Sequence, residues 1–137
     1  MTTSSTITTL SIGELAQQSG VSQHTLRFYE KAEVLAPTTR AANGHRRYLA
    51  SDVAWLAFVL RLKATGMPLA QIKQYALLRA QGEMTVPQRL AVLELHRERL
   101  VVNIQELSHN LAALDDKIGV YRQTMPTDRK AHSKTKA

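Results

Sequence analysis

The sequence predicts a mostly α-helical fold with one small β-hairpin and a long C-terminal helix. Three observations predict it. Two short segments with helix-capping residues, residues 11–18 and 22–31, flank a turn that contains glycine. Asn43-Gly44 is a strong hairpin signal. From residue 86 onward, apolar side chains recur at alternating intervals of four and three residues, which is typical of a coiled coil.

The first two helices are predicted from local signals. Ser11 and Glu14 have the spacing of a capping box, so a helix should begin directly after Ser11. Gly20 can take the positive φ that a tight turn requires. Ser22 is a good N-cap for a second helix over residues 22–31. Two helices joined in this way predict a helix-turn-helix, whose second helix enters the major groove of DNA.

The second helix carries more hydrogen-bonding side chains than a helix that only packs into a core requires. Gln23, His24 and Thr25 lie at its N-terminal end, which is the part that reaches base edges in such motifs. Arg27 can bind a phosphate or a guanine. Leu26 is its clear apolar anchor. These side chains favour DNA as the partner.

The hairpin is predicted to have strands at Thr38–Arg40 and His45–Tyr48. Two short strands are marginally stable alone, so the hairpin should pack on the helices. Its basic side chains make it a candidate wing that clamps flanking phosphates. The alternative is a solvated surface hairpin with no partner.

Two further helices should follow the hairpin. Ser51 and Asp52 are expected to cap the first of them, and Trp55 is assigned to its buried face rather than to a binding surface. The second covers residue 69 to about residue 80, with Leu69 on its apolar face. Thr85 is expected to cap the last helix.

The last helix presents a heptad seam that cannot be buried within one chain. The a and d positions are apolar over five heptads, with Arg97 as the interruption. No second long helix is predicted, so the economical partner is another copy of the chain. The predicted dimerisation residues are Leu90, Leu93, Leu100, Ile104, Leu107, Leu111, Leu114 and Ile118.

Composition supports a polyanionic partner and argues against catalysis. The formal net charge is +7, and residues 11–80 hold nine Lys and Arg against four acids. The chain has no cysteine, which excludes disulfides and thiolate metal sites. The five histidines are scattered and no phosphate-binding glycine loop is present, so we expect neither an enzyme nor a cofactor or metal site. Without a secretory signal or an apolar run of about 20 residues, we expect a cytoplasmic protein without membrane contact.

These patterns divide the chain into four expected regions. They are a flexible N-terminus (1–10), a winged helix-turn-helix DNA-binding domain (11–82), a dimerisation helix (85–123) and a disordered basic tail (124–137). The predicted DNA-binding residues are polar, basic or tyrosine side chains of the second helix, the hairpin and the third helix. They are Ser22, Gln23, His24, Thr25, Arg27, Tyr29, Arg40, Asn43, His45, Arg46, Arg47, Tyr48 and Lys63.

Several motifs together resemble the MerR family of bacterial transcriptional regulators. They are Ile12-Gly-Glu-Leu-Ala, Gly20-Val-Ser, Thr25-Leu-Arg-Phe-Tyr-Glu, the stretch from Arg40 to Tyr48, and Gly66-Met-Pro-Leu. The resemblance covers about residues 9–122. It implies a winged helix-turn-helix and an antiparallel coiled-coil homodimer that binds an inverted repeat in a promoter. It also implies DNA distortion that lets RNA polymerase, reached through the DNA rather than by direct contact, engage both promoter elements.

The resemblance also assigns roles and shows departures. Thr25, Arg27 and Tyr29 match recognition-helix positions that touch DNA, and Arg40, Arg46 and Tyr48 match wing positions. Where this chain has His45, a tyrosine is common in the family. The region from Gly66 to Leu100 looks most like short members that respond to aldehyde or nitrosative stress. Those members often use a cysteine near the start of the third helix, and this chain has none, so thiol-based sensing is excluded.

The sequence therefore predicts a dimeric, sequence-specific DNA-binding transcriptional regulator. Two alternatives remain at this point. One is an architectural or excisionase-like protein that bends DNA without controlling a promoter. The other is an interaction module whose long helix pairs with a different protein.

Overall fold

The computed structural model describes residues 9–37, 39–40 and 43–126. It confirms a mostly helical fold with a small hairpin and a long C-terminal helix. The described elements are β1 (Thr9–Ser11), α1 (Ile12–Ser19), α2 (Gln23–Lys31), β2 (Thr39–Arg40), β3 (Arg46–Leu49), α3 (Ser51–Ala64), α4 (Leu69–Ala80), a 3-10 turn (Glu83–Thr85) and α5 (Val86–Thr124).

The start of α1 is fixed by the predicted capping box. The Glu14 N–H donates to Ser11 Oγ at 3.1 Å, and the Ser11 N–H donates to Glu14 Oε1 at 2.7 Å. That backbone donor holds the pKa of the Glu14 carboxyl below its usual value. Gly20 ends the helix with φ of 77°, and its N–H donates to Ala16 O at 2.9 Å. The turn into α2 is therefore set by local residues, as predicted.

α2 begins after Ser22, whose extended backbone and side chain form the predicted N-cap. The Thr25 N–H donates to Ser22 Oγ at 3.0 Å. Leu26 and Tyr29 point into the core and are almost fully buried. These two side chains hold one side of α2 against the fold, so the opposite side faces solvent.

We expect Ser22→Ala to destabilise the protein by about 1 kcal/mol, because the Thr25 N–H loses its acceptor. Urea unfolding followed by the fluorescence of Trp55, which is the single tryptophan, measures the change. Ser22→Thr is the matched control because it keeps a capping hydroxyl. Equal unfolding midpoints for Ser22→Ala and the unsubstituted chain would show that this cap is not stabilising.

A three-stranded antiparallel sheet packs beside the helices in the order β1-β3-β2. The hairpin pairs Thr39 with Arg47 and Arg40 with Arg46. The second strand begins at Arg46, one residue later than predicted. Residues 38, 41 and 42 lie outside the described part of the chain, and so does the prediction made for Thr38.

The third strand corrects the prediction of a flexible N-terminus at Thr9 and Leu10. β1 pairs with the other edge of β3, with Leu10 opposite Tyr48. The edge of β3 supplies backbone partners, and Leu10 becomes buried in the core. Residues 1–8 lie outside the described part of the chain.

α3 contributes much of the core, and its start differs from the prediction. Ser51 is the first helical residue rather than the cap, and the cap position is Ala50, without a side-chain hydrogen bond. Asp52 instead accepts the Leu49 N–H at 2.9 Å and so links α3 to the sheet. The assignment of Trp55 to the core is confirmed, since its side chain is buried.

α4 has the predicted bounds, and its core residues are Ile72, Tyr75 and Ala76. Leu69 was expected on this apolar face, but it is exposed because it lies at the helix start. The hydroxyl of Thr85 lies 2.5 Å from Leu78 O at the end of α4. Thr85 was predicted to cap α5, but its hydroxyl instead donates to Leu78 O and Gly82 O, so its side chain is directed to the end of α4.

The chain divides into two units at His96 and Arg97. The described part of the first unit contains the hydrophobic core, which Val92 and Leu93 of α5 border. Leu93 was predicted for the dimer seam, but its side chain also packs against the core of its own chain. In the second unit the seam side chains from Ile104 to Tyr121 are exposed. No helix in the described ranges is long and apolar enough to span a membrane.

Candidate nucleic-acid interface

One side of α2 is exposed and polar. Gln23, His24, Arg27, Phe28 and Lys31 are all exposed, and we call this set the exposed α2 face. Their spacing of one and four residues places them on a continuous helical surface. The core residues Leu26 and Tyr29 occupy the other side. The face combines amide, imidazole, guanidinium and ammonium donors with one aromatic ring.

The N-terminal end of this face is held in place by its neighbours. Arg27 Nη2 lies 3.3 Å from Gln23 Oε1, so these two side chains lie alongside each other. Gly13 of α1 lies close to them, since a Cβ at residue 13 would be 3.3 Å from Gln23 Nε2. Thr25 Oγ1 lies 3.0 Å from the capping Ser22 Oγ. Ser22 and Thr25 therefore shape the helix start, while Gln23 and Arg27 present donors to solvent.

Glu30 joins α2 to the hairpin. The Tyr48 hydroxyl donates to Glu30 Oε2, and Arg46 Nε forms an ion pair with Glu30 Oε1 at 2.8 Å. The Glu30 side chain is 11% exposed, and the Arg46 side chain is 40% exposed. A hydrogen-bonded, partly buried carboxylate of this kind fixes the two elements relative to each other. The hairpin is thereby held next to α2 with Arg46 at its surface.

Two tyrosines predicted to contact DNA do not fit this arrangement. Tyr29 is 1% exposed and Tyr48 is 0% exposed. Tyr29 lies three residues after Leu26, so the helical period turns both side chains to the core. Tyr48 lies opposite Leu10 on the buried side of β3. Neither tyrosine side chain therefore lies at the surface.

Arg47 was predicted to contact DNA phosphates from the hairpin, but its side chain binds within the protein. Its Nε donates to Thr9 Oγ1 at 2.9 Å and its Nη2 donates to Thr9 O at 3.0 Å. The side chain is partly buried and ties β3 to β1. Arg47 therefore has a structural role, which the run of basic residues in the hairpin sequence did not indicate.

The remaining predicted residues lie at the surface or outside the described side chains. Asn43, His45 and Lys63 are exposed. Asn43 Oδ1 accepts the His45 N–H at 3.0 Å, which shapes the hairpin turn. Arg40 lies in β2 opposite Arg46, and its side chain is outside the described part of the structure. The predicted contacts therefore converge on α2 and the adjoining hairpin, with Lys63 on α3.

The structure adds two residues to the site. Phe28 is 50% exposed and lies one turn after His24. Lys31 lies one turn after Arg27. The spacing of four residues could have identified both, and the spacing of three residues from Leu26 to Tyr29 could have indicated that Tyr29, rather than Phe28, is buried.

Comparison with known proteins identifies the family. A family model described as "MerR HTH family regulatory protein" matches residues 10–78, and one described as "MerR, DNA binding" matches residues 53–117. The chain belongs to the MerR family. The predicted resemblance is confirmed. MerR family proteins are DNA-binding transcription regulators, and this function was predicted for the chain.

Individual relatives agree with this assignment. An "uncharacterized HTH-type transcriptional regulator" of Haemophilus influenzae is 34% identical over 84% of this chain and 85% of that protein. The HTH-type transcriptional regulator AdhR of Bacillus subtilis is 30% identical over 67% of this chain and 66% of that protein. These relatives are described as regulators of transcription.

Solved structures show the same fold. HiNmlR, described as a MerR family regulator lacking the sensor domain and bound to promoter DNA, has a TM-score of 0.74 at 34% identity. The match covers 85% of this chain and 92% of that one. A MerR family regulator from Listeria monocytogenes has a TM-score of 0.77 at 30% identity, with 93% and 94% covered.

Proposed function

We propose that this chain regulates transcription as a homodimer that binds an inverted repeat in a promoter. The observation that carries the proposal is the exposed α2 face, which the Glu30 contacts hold beside a basic hairpin. Each copy presents this face to one half of the repeat. The chain would act in the cytoplasm, where promoter DNA is reached.

The proposed contacts fall into two classes. Gln23, His24, Arg27 and Phe28 lie in the part of α2 that can reach base edges in the major groove. The side chains placed to contact the DNA backbone are Lys31, Asn43, His45, Arg46 and Lys63. Base contacts carry the sequence preference, whereas backbone contacts fix the orientation of the protein.

The second copy is proposed because the α5 seam lacks enough apolar partners within its own chain. Ile104, Leu107, Leu111 and Leu114 are all more than half exposed. A seam of this length would be unfavourable in water, and pairing buries it. We therefore assign residues 11–82, extended by β1, to DNA binding, and residues 85–123 to dimerisation.

Control through DNA shape is what the resemblance to the MerR family implies, and HiNmlR of that family is described as bound to promoter DNA. A dimer whose two α2 helices bind both half-sites at once requires DNA of a matching geometry. Bending or untwisting DNA costs energy that depends on its sequence. RNA polymerase would then respond to the altered DNA rather than to a direct contact.

We expect Arg27→Ala to weaken operator binding by about 1–3 kcal/mol if its guanidinium reads a base. Sequence preference should relax at the base pair that Arg27 contacts. Footprinting and titration of the region upstream of the gene, at fixed salt, measure both effects.

The matched control is Arg99→Ala, which removes the same charge from an exposed position on α5. This control should leave the footprint unchanged. Equal losses for both variants, or binding of the unsubstituted chain that ignores sequence at moderate salt, would overturn the proposal of a specific regulator. A transcription assay with polymerase separates promoter control from DNA bending alone.

A further inference from the structure

The α5 seam has one charged position, Arg97. The a and d positions from Leu100 to Tyr121 are apolar, whereas Arg97 is an exposed arginine at an a position. A charged side chain at such a position costs stability and commonly specifies how the helices pair. Whether Arg97 has an oppositely charged partner therefore depends on how two α5 helices are aligned.

A parallel pair of α5 helices gives Arg97 no oppositely charged partner. In that alignment Arg97 faces Arg97 of the second copy, because a positions face each other. Lys117 at g would also lie near Arg122 at e of the second copy. Both contacts place like charges together, so parallel pairing is disfavoured.

An antiparallel pair centred between Ile104 and Leu107 gives every seam position a partner. Ile104 then packs on Leu107 of the second copy, Leu100 on Leu111, and Arg97 on Leu114. Asp115 follows Leu114 directly, so its carboxylate lies beside the Arg97 guanidinium of the other helix. Asn103 similarly faces Asn110 of the second copy.

Shifting this alignment by one heptad removes the carboxylate. In one direction Arg97 meets Leu107 and its neighbour Ser108. In the other direction it meets Tyr121 and its neighbour Arg122, which repels it. Glu94, one turn before Arg97, would lie near Asp115 of the second copy in the central alignment, so the Arg97 cation also separates two carboxylates.

We propose that Arg97 and Asp115 of two copies form a reciprocal ion pair that sets the antiparallel direction and the register of the α5 dimer. This rests on the proposed homodimer. The pair occurs twice in each dimer by symmetry.

Charge exchange tests the pair. Arg97→Asp places like charges together in both symmetric positions, so it should raise the dimer dissociation constant by roughly tenfold or more. Asp115→Arg also places like charges together, but the new arginine lies near Glu94 as well, so its loss should be smaller. The doubly substituted chain, with Arg97→Asp and Asp115→Arg together, restores both pairs with opposite polarity and should recover most of the loss. Sedimentation equilibrium measures the dissociation constants, and circular dichroism confirms that each variant is helical.

Cysteine cross-linking tests the alignment independently, because the chain contains no cysteine. A Leu100→Cys chain mixed with a Leu111→Cys chain should form a disulfide-linked dimer on oxidation. Leu100→Cys alone should not, because two copies of residue 100 lie about 16 Å apart along the antiparallel axis. Cross-linking of Leu100→Cys alone indicates parallel pairing.

The outcomes separate this inference from the proposed function. A chain that sediments as a monomer overturns the proposed homodimer. A stable dimer in which the doubly substituted chain stays as weak as the single variants, or in which the mixed cysteine variants do not cross-link, overturns the ion pair alone. Recovery in the double variant together with mixed cross-linking supports it.

Discussion

Replacing Trp55 with alanine should destabilise the first unit by about 3–5 kcal/mol, which is a large share of the total stability of a domain of this size. The side chain is 5% exposed. Its indole Nε1–H donates to Val34 O at 2.9 Å, and its ring stacks on Tyr75 with 5.9 Å between centroids. The substitution removes the ring and leaves a buried carbonyl without its donor.

The position of Trp55 explains why the effect should reach DNA binding. Val34 belongs to the segment that leaves α2, and Tyr75 belongs to α4, so Trp55 of α3 joins all three. Arg79 of α4 adds a third contact, with its guanidinium carbon 4.3 Å from the centroid of the Trp55 ring. Losing the indole therefore loosens the support beneath the C-terminal end of α2.

Urea unfolding followed by far-ultraviolet circular dichroism measures this loss, since the variant lacks the only tryptophan. Trp55→Phe is the matched control. It keeps an aromatic ring against Tyr75 and loses the N–H. We therefore expect it to lower the free energy of unfolding by about 1–2 kcal/mol, because the Val34 carbonyl loses its donor. If Trp55→Ala unfolded at the same urea concentration as the unsubstituted chain, the assignment of Trp55 as a central core residue would be wrong.

Several elements fixed by neighbouring residues were predicted correctly from the sequence, although the cap expected at Ser51 was not found. The capping box at Ser11 and Glu14, the turn at Gly20 and the cap at Ser22 all depend on groups within four residues of each other. Such short-range chemistry is visible in the sequence. The bounds of α4 were predicted for the same reason, because Pro68 precedes it and a glycine follows its end.

Elements fixed by distant residues were not predicted. β1 exists because the backbone of Thr9–Ser11 finds the edge of β3, about 40 positions along the chain. The same strand supplies Thr9 as the acceptor for Arg47, so an apparent DNA-binding arginine has a structural partner. Local propensity cannot report such pairings, since they depend on the folded arrangement.

The candidate site also combines features that were predicted from the sequence with features that were not. The capped α2 helix and its donors were predicted from the sequence, whereas the burial of Tyr29 and the exposure of Phe28 were not. Two adjacent aromatic residues on a helix differ by about 100° in direction, so only one of them can share the core with Leu26. Tyr29 lies three residues after Leu26 and is the one that does, so the helical period could have indicated it.

Replacing Leu107 with aspartate should separate the two copies and nearly abolish operator binding. Leu107 is a d position near the middle of α5, and it is 67% exposed in the single chain. A carboxylate there would be buried in the seam twice per dimer, at a cost of several kcal/mol for each unpaired charge. We expect the dimer dissociation constant to rise at least about 100-fold.

The loss of DNA affinity follows from linkage of the two half-sites. In the dimer, binding of one α2 face holds the other near its own half-site at a high effective concentration. A monomer loses this advantage, which is worth a factor of roughly 10²–10⁴ in affinity. Sedimentation measures the dimer, and titration of a full operator against a single half-site measures the coupling. For the variant, the two DNA affinities should become equal.

The control is Ala113→Asp, which introduces the same carboxylate at an exposed c position of α5, away from the seam. It should remain dimeric and bind the full operator as the unsubstituted chain does. The first unit has its own core, so Trp55 fluorescence should show that it stays folded in both variants. If Leu107→Asp remained a dimer at the same concentration, the α5 seam would not be the dimer interface, and the two α2 faces would have to be joined through the first unit instead.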